Sequence, residues 1–243
     1  MQINIHLLGN QISLPIAANE TVQGLIYRAI SKDPTYSYDM HENGSSFDGR
    51  KYKLFTFGEL NGKYEIVGNR IIYPGDVRLN IRSADAYLIQ LLFDYFRQTR
   101  EIRLGNNTVR AKSVLLEDTH IFADRILIRT ASPITVYLTE PNGHTVYFSP
   151  DDPRFCEGIV TNARRKWASK MENDNGFSLR VSTMENAQYL KRATRFKTTF
   201  ITAWHGPLLL EGSPQVLDFL YQTGLGSKNS QGFGMFDIKH QPV

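Results

Sequence analysis

Apolar residues recur along this chain with two different periods, which together predict a mixed α and β structure. Every second residue is apolar over 2–8 and again over 77–82, which is typical of a half-buried strand. The segment 83–98, SADAYLIQLLFDYFRQ, repeats its apolar residues at helical spacing instead. Shorter strand-like segments lie between these elements, so the first hundred residues predict the order βαββαβ.

A first helix is predicted between the opening strands and the polar segment 33–50. Asn19 or Thr21 is its expected N-cap. Tyr27 lies beside its apolar face. Its alternative to a functional role is a structural one, as a side chain packed on the sheet. That face consists of Val22, Leu25, Ile26 and Ile30.

The second half repeats the same plan with longer insertions. Residues 106–118 and 124–140 resemble strands, and 151–171 is a helix opened by Asp151 or Asp152 with Pro153 in its first turn. A last helix and a last strand flank a glycine-rich segment. We therefore predict an α+β fold of two tandem ferredoxin-like (RRM-like) βαββαβ domains, covering 1–105 and 106–243.

Composition excludes several kinds of site. Cys156 is the only cysteine, so neither an intrachain disulfide nor a thiolate metal cluster can form, and no two histidines have the i, i+4 spacing of helical metal ligands. We expect no metal and no cofactor. Lys and Arg total 28 against 24 Asp and Glu, a net charge of +4 that permits an anionic partner without requiring one. The polar N-terminus and the lack of a long apolar run predict a cytoplasmic protein without membrane association.

The segment 224–236, GLGSKNSQGFGMF, is the most distinctive motif. Glycines reach positive φ without steric cost, and successive N–H groups in such turns can bind anionic oxygens. The spacing matches neither a dinucleotide fingerprint nor a P-loop. A phosphate-binding loop and a plain surface turn both remain open. The candidate binding residues here are Gly224, Gly226, Lys228, Gly232 and Gly234.

His41 is the candidate catalytic residue, because it lies in a polar segment with Tyr27 upstream and cations downstream. A histidine can exchange a proton near neutral pH, and a cation stabilises charge that develops on a phosphate. These groups suit metal-free RNA cleavage. A solvated surface histidine is the alternative interpretation.

Two basic clusters are candidate RNA contacts or, alternatively, solvated faces. One lies on a predicted helix and the other enters a strand. Their members are Arg164, Arg165, Lys166 and Lys170 in the first, and Lys191, Arg192, Arg195 and Lys197 in the second.

Four segments together resemble the Cas6 family of CRISPR-associated endoribonucleases. They lie towards both ends of the chain, and the paired GxG and GFG of the last is the most specific. They read LPIAANETVQGLIYRAI, YDMHENG, KYKLFTFGEL and GLGSKNSQGFGMF.

The resemblance implies tandem ferredoxin-like domains that bind CRISPR repeat RNA and cut precursor CRISPR RNA without metal, leaving a 2′,3′-cyclic phosphate (or 2′-phosphate) and a 5′-hydroxyl. By position His41 corresponds to the family's histidine and Tyr27 to its tyrosine. Lys51 is our choice for the lysine, with Lys53 or Arg50 as alternatives. We expect His41 to act as acid or base, Tyr27 to orient the nucleophile and Lys51 to stabilise the transition state.

Other functions of this sequence stay open. The chain could be a catalytically inactive RNA-binding protein of the same fold, or a ferredoxin-like interaction module without an RNA role. The sequence leaves undecided whether the chain forms a homodimer and whether it joins other CRISPR effector-complex subunits.

Overall fold

The computed structural model describes residues 1–42 and 44–240, apart from the side chains of residues 41, 42 and 240. The helices are α1 (Asn19–Ile30), α2 (Pro34–Glu42), α3 (Ala86–Gln98), α4 (Pro153–Met171) and α5 (Pro214–Thr223). The strands of the first half are β1 (Gln2–Leu8), β2 (Ile12–Pro15), β3 (Ser45–Phe47), β4 (Arg50–Tyr52), β5 (Phe55–Phe57), β6 (Glu65–Val67), β7 (Arg70–Tyr73), β8 (Asp76–Ser83), β9 (Ile102–Leu104) and β10 (Asn107–Glu117). Those of the second half are β11 (Arg125–Thr130), β12 (Tyr137–Thr139), β13 (Thr145–Tyr147), β14 (Leu179–Thr183), β15 (Leu190–Phe196), β16 (Thr199–His205), β17 (Pro207–Gly212) and β18 (Phe236–His240).

Two antiparallel sheets confirm the predicted ferredoxin-like plan. The first has the order β5-β8-β1-β10-β9, and the second has β14-β17-β11-β18. In both, the first strand of a βαββαβ unit lies between its third and fourth, as the ferredoxin-like arrangement requires. Helices α1 and α3 pack on the first sheet, and α4 and α5 pack on the second.

The strand β10 corrects one sequence assignment. We placed residues 106–118 in the second domain, but β10 pairs antiparallel with β1 along nearly its whole length. It therefore completes the first sheet, and the short β9 only extends the edge. The division into two domains stays a prediction, and this pairing favours a boundary after Glu117 rather than near residue 105.

Helix α2 was missed by the sequence analysis, which treated residues 33–50 as turns. Asp33 accepts a hydrogen bond from the Tyr36 backbone N–H at 3.0 Å and so caps the helix start. Tyr36 and Met40, one helical turn apart, pack against the first core. His41 consequently belongs to the last turn of a helix and not to a loop.

The N-cap prediction for α1 was also wrong. Ala18 occupies that position, and the helix begins at Asn19 without a side-chain cap. The Asn19 amide instead donates to the carbonyls of Gln231 and Gly232, at 2.8 and 3.1 Å. For α4 the cap prediction is confirmed, since the Asp152 carboxylate accepts from the Arg154 N–H.

In the described part of the chain, none of the helices combines the length and apolar character needed to cross a membrane.

Arg82 joins the two sheets. Its side chain is 2 % exposed and donates to the Gln2 side chain and to the Phe236 carbonyl. It also pairs with Asp237 at 2.7 Å and lies 3.7 Å from the ring centroid of Tyr221. One guanidinium thus satisfies acceptors on β1 and β18 and stacks on α5.

Replacing Arg82 with Met should lower the free energy of unfolding by on the order of 3 kcal/mol, because the buried Phe236 carbonyl and Gln2 amide would lose a charged donor. Urea unfolding followed by circular dichroism measures this. Arg78→Met is the matched control on the same strand, since Arg78 is exposed, and should change stability by less than about 0.5 kcal/mol. Equal effects of the two substitutions would contradict the assigned role.

Candidate functional site

A cleft of about 490 Å³ lies where the first half of the chain meets the second. Its walls come from β4 and the residue after it, β12, α4 and the glycine-rich segment 224–236. The described residues that line it include five cations and no carboxylate, so it suits a polyanion. These cations are Arg50, Lys51, Lys53, Lys166 and Lys228.

Tyr27 and Lys53 form a hydrogen-bonded pair beside this cleft. The Lys53 ammonium donates to the Tyr27 hydroxyl at 2.7 Å and lies 5.0 Å from the ring centroid. Tyr27 stands edge-on to Phe55, with centroids 6.5 Å apart. Burial raises the pKa of Tyr27 to about 12. The phenol is therefore neutral at physiological pH, and it can orient a hydroxyl but does not serve as a base there.

His41 lies at the C-terminal end of α2, which packs against α1. Its side chain lies outside the described residues, so its catalytic role stays a prediction. The backbone position alone places it in the helix that follows the one carrying Tyr27.

Of the three cations considered for the site, Lys53 donates a hydrogen bond to the Tyr27 hydroxyl at 2.7 Å. Lys51 and Arg50 belong to the β3–β4 hairpin, where they pair with Ser46 and Phe47. Both line the cleft. The assignment of Lys51 as the catalytic cation stays a prediction, while the hydrogen bond to Tyr27 favours Lys53.

The four glycines of segment 224–236 all have positive φ, between 65° and 83°. All four are also buried, so the segment is not an exposed surface turn. Three of their N–H groups donate to backbone carbonyls. Those of Gly224, Gly232 and Gly234 donate to the carbonyls of Leu220, Asn229 and Pro133, respectively. These three N–H groups already have acceptors, and the glycines let the backbone pack closely. An RNA contact by this segment stays a prediction.

Lys166 was expected on an exposed basic helix face, and this is wrong, because the residue is 2 % exposed. Its ammonium donates to the Thr223 carbonyl at 3.5 Å, to the Asn229 side chain at 2.9 Å and to the Gly224 carbonyl. It therefore fixes the glycine segment to α4. Burial lowers the pKa of Lys166 to about 7.

The remaining predicted RNA contacts are distributed over different surfaces. Arg164 is exposed, pairs with Asp174 at 3.3 Å and stacks on Phe177. Arg192 and Arg195 belong to the β15–β16 hairpin and line other clefts. The structure thus brings Lys228 and Lys166 to the cleft of Lys53, but not Arg164, Arg192 or Arg195.

Two cleft residues escaped the sequence analysis. The Oδ1 atom of Asn162 is buried, and it has no hydrogen-bond partner among the described residues. It lines the cleft on α4, where a ligand hydroxyl or amino group could satisfy it. Tyr137 offers an aromatic face, with Lys228 Nζ 5.1 Å from its centroid. A lone Asn in a helix and a Tyr in a strand give no sequence signal of either role.

Comparisons with known proteins show which proteins this chain resembles. A family model described as CRISPR associated protein Cas6, C-terminal, matches residues 116–238. The chain is similar to CRISPR-associated endoribonuclease Cas6 1 of Methanocaldococcus jannaschii, with 24% identity covering 97% of this chain and 91% of that protein.

Two solved structures share the fold. One, described as the characterization of a Cas6-related gene from Pyrococcus furiosus, aligns with a TM-score of 0.84 and 20% identity over 100% of this chain and 99% of that one. Another, described as an RAMP protein binding different RNA substrates, aligns with a TM-score of 0.83 and 20% identity over 99% and 100% of the two chains.

Lys166→Met should remove a pH dependence of stability. Between about pH 7 and 10 the unfolded chain holds a proton on Lys166 that the folded chain does not, because the pKa falls from 10.5 to about 7 on folding. The free energy of unfolding of the wild type should therefore rise with pH in that window, by up to about 1.4 kcal/mol per unit from this group. The Met variant should lack this contribution.

Urea unfolding at pH 7, 8 and 9 measures how the free energy of unfolding depends on pH. Lys170→Met, which removes an exposed lysine of the same helix, should keep the wild-type slope. A Lys166→Met variant with the wild-type slope would show that the folded protein holds its proton throughout this window.

Proposed function

We propose that this chain, which belongs to the Cas6 family of CRISPR-associated proteins, is an endoribonuclease that binds CRISPR repeat RNA and cuts precursor CRISPR RNA into guide units. The observation that carries the proposal is the cation-lined cleft beside the Tyr27–Lys53 hydrogen bond. RNA is a polyanion whose own 2′-hydroxyl can act as a nucleophile, so a site of this kind needs to supply only positive charge, orientation and a proton carrier.

The proposed reaction is a transesterification. The 2′-oxygen forms a bond to the adjacent phosphorus while the bond from phosphorus to the 5′-oxygen breaks. The 2′-hydroxyl loses its proton and the leaving 5′-oxygen gains one. The products are a 2′,3′-cyclic phosphate and a 5′-hydroxyl, and no metal ion takes part.

Tyr27, neutral at the working pH, orients the 2′-hydroxyl by hydrogen bonding. Lys53, held against Tyr27 at 2.7 Å, stabilises the charge that builds on the phosphorane oxygens. His41 exchanges the proton, as acid towards the 5′-oxygen or as base towards the 2′-hydroxyl.

The same cleft binds the strand next to the cut. Lys51 and Lys228 contact phosphates there, which makes affinity salt-dependent. Asn162 hydrogen-bonds a base edge or a 2′-hydroxyl with its buried amide oxygen, and Tyr137 supplies an aromatic face on which a base stacks.

His41→Ala should slow cleavage by about a hundredfold or more, because the proton-transfer contribution is lost while binding residues are untouched. The assay is cleavage of a repeat-containing RNA in EDTA. A substrate with one 2′-deoxy nucleotide before the cut, given to the wild type, should bind and not be cleaved.

Wild-type cleavage of the deoxy substrate, or cleavage lost in EDTA, would refute the 2′-hydroxyl mechanism without metal. Full cleavage by the variant would remove His41 from the site. A wild type that binds the RNA and never cuts it would identify an inactive RNA-binding protein of this fold.

Lys53→Met should lower the cleavage rate at saturating RNA by about a hundredfold, because charge on the phosphorane loses its stabilising cation. Lys51→Met is the matched variant from the same cleft and should mainly weaken RNA binding. Single-turnover rates and binding isotherms separate the two effects. The reverse result, a rate loss in Lys51→Met with Lys53→Met nearly intact, would restore Lys51 as the catalytic cation.

A further inference from the structure

A second groove runs along the exposed side of α1, and none of its described lining residues lines the cleft of Lys53. It consists of two adjoining hollows of about 470 and 700 Å³. Glu20, Gly24 and Lys197 line both hollows, so the two form one continuous groove between α1 and the β15–β16 hairpin. The backbone N–H of Lys197 donates to the Glu20 carboxylate at 3.3 Å and bridges the two walls.

Gly24 lies in the floor of this groove and is unusual for a helix. It occupies the middle of α1 (Asn19–Ile30), where glycine is the least favourable residue apart from proline. Packing does not require it, because a Cβ built at this position meets no atom of the described residues within 4 Å. The other helical glycine, Gly158, does have such a reason, since its Cβ would lie 2.3 Å from a Val136 methyl. Packing within the described chain therefore gives no reason for a glycine at this position.

The charges around Gly24 indicate which kind of ligand suits the groove. Three cations line the first hollow, Arg28 from α1 and Arg195 and Lys197 from the hairpin, against the single carboxylate of Glu20. Arg28 gives one N–H to the Arg103 carbonyl and Arg195 gives one to the Lys197 carbonyl. Each guanidinium carries five N–H groups, so both can also bind phosphate oxygens.

The groove leads to the candidate active site. Tyr27 lines the second hollow, three residues from Gly24 on the same side of α1. Glu20 to Tyr27 spans roughly 10 Å along the helix axis. A strand passing over Gly24 would thus reach Tyr27, whose hydroxyl accepts a hydrogen bond from Lys53.

We propose that this groove holds the sugar–phosphate backbone of the substrate RNA next to the cut, with Gly24 as the point of closest approach to the protein. This rests on the proposed endoribonuclease function. Arg28, Arg195 and Lys197 bind the phosphates, and the lack of a side chain at residue 24 lets the backbone of any nucleotide lie against the helix. The groove therefore favours strands that are single and extended at this point, independent of base identity.

Gly24→Gln tests the proposal, because glutamine is a good helix former that fills the floor of the groove. Its Tm should rise by about 2 °C. Its affinity for repeat RNA should fall by about tenfold, and its plot of log affinity against log salt should become shallower by about 0.7 for each phosphate that the protein no longer neutralises. Gly75→Gln is the matched control, since a Cβ at Gly75 also meets no atom of the described residues within 4 Å and Gly75 lines neither hollow.

Truncation of the RNA distinguishes a variant that has lost RNA contacts in the groove from one in which the Tyr27 side chain is displaced. Repeat RNAs are shortened stepwise from each end, and wild-type and variant affinities are compared for each length. On the side that occupies the groove, shortening should weaken the wild type until it equals Gly24→Gln, because neither complex then has RNA in the groove.

A Gly24→Gln variant that binds full-length repeat RNA as tightly as the wild type would overturn the proposal. A loss of affinity in Gly24→Gln that is the same for every RNA length would also overturn the proposal, because such a loss indicates a distorted active site. A wild type that neither binds nor cuts repeat RNA would overturn the proposed function as well, and the two failures are thereby distinguished.

Discussion

The close backbone packing of segment 224–236 is the constraint on which the site depends. A Cβ at Gly232 would lie 2.5 Å from the Phe57 ring, and one at Gly234 would lie 1.9 Å from the Leu225 carbonyl oxygen. No side chain fits at either position. The first half of the chain closes over this backbone, with Gln23 of α1 donating to the Ser230 carbonyl and Thr56 of β5 donating to that of Phe233. The cleft exists because these contacts bring Lys228 within reach of the segment that carries Lys53.

Two buried basic residues stabilise this arrangement in chemically different ways, Arg82 between the two halves and Lys166 within the second half. Arg82 has a carboxylate partner, Asp237, whose side chain is 60% exposed, so its charge is neutralised at the edge of the interface. The oxygens that accept hydrogen bonds from Lys166 are neutral, and they stabilise an ammonium less than a carboxylate does. The contacts of Arg82 therefore stabilise the fold at all moderate pH values. Those of Lys166 make the glycine segment sensitive to pH near neutrality, at the wall of the cleft.

Strong periodicity made most elements predictable from sequence, and weak or ambiguous periodicity explains the errors. The first helix buries Val22, Leu25, Ile26 and Ile30, as its pattern predicts. Among the described side chains of helix α2, Tyr36 and Met40 are the two that pack against the first core, which is too few to distinguish it from a polar turn region. Two strands, β9 and β10, follow α3, and the predicted boundary near residue 105 separates β10 from β1, with which it pairs.

Lys166 shows why a run of basic residues is an unreliable sign of a surface. Arg164, Arg165 and Lys166 look alike in sequence, yet successive helical residues point about 100° apart. Ile159 and Ala163 are buried on α4, and Lys166 continues their face at the spacing of i+3. That periodicity predicts an inward lysine. It was outweighed by the rule that lysines are rarely buried, which fails here because three oxygen acceptors surround the ammonium.

The choice between Lys51 and Lys53 depends on a feature that no local pattern contains. Both lysines precede the strand FTF, and an alternating pattern places them on the same side of an extended chain. The chain turns sharply after Lys53, whose carbonyl accepts from the Phe55 N–H at 2.8 Å. Leu54 then packs into the core of the second half and Phe55 into that of the first. Lys53 is thereby fixed between the two cores and against Tyr27, whereas Lys51 is an exposed residue of the β3–β4 hairpin. The position of the proposed catalytic cation, Lys53, is therefore set by long-range packing, and a single sequence does not reveal it.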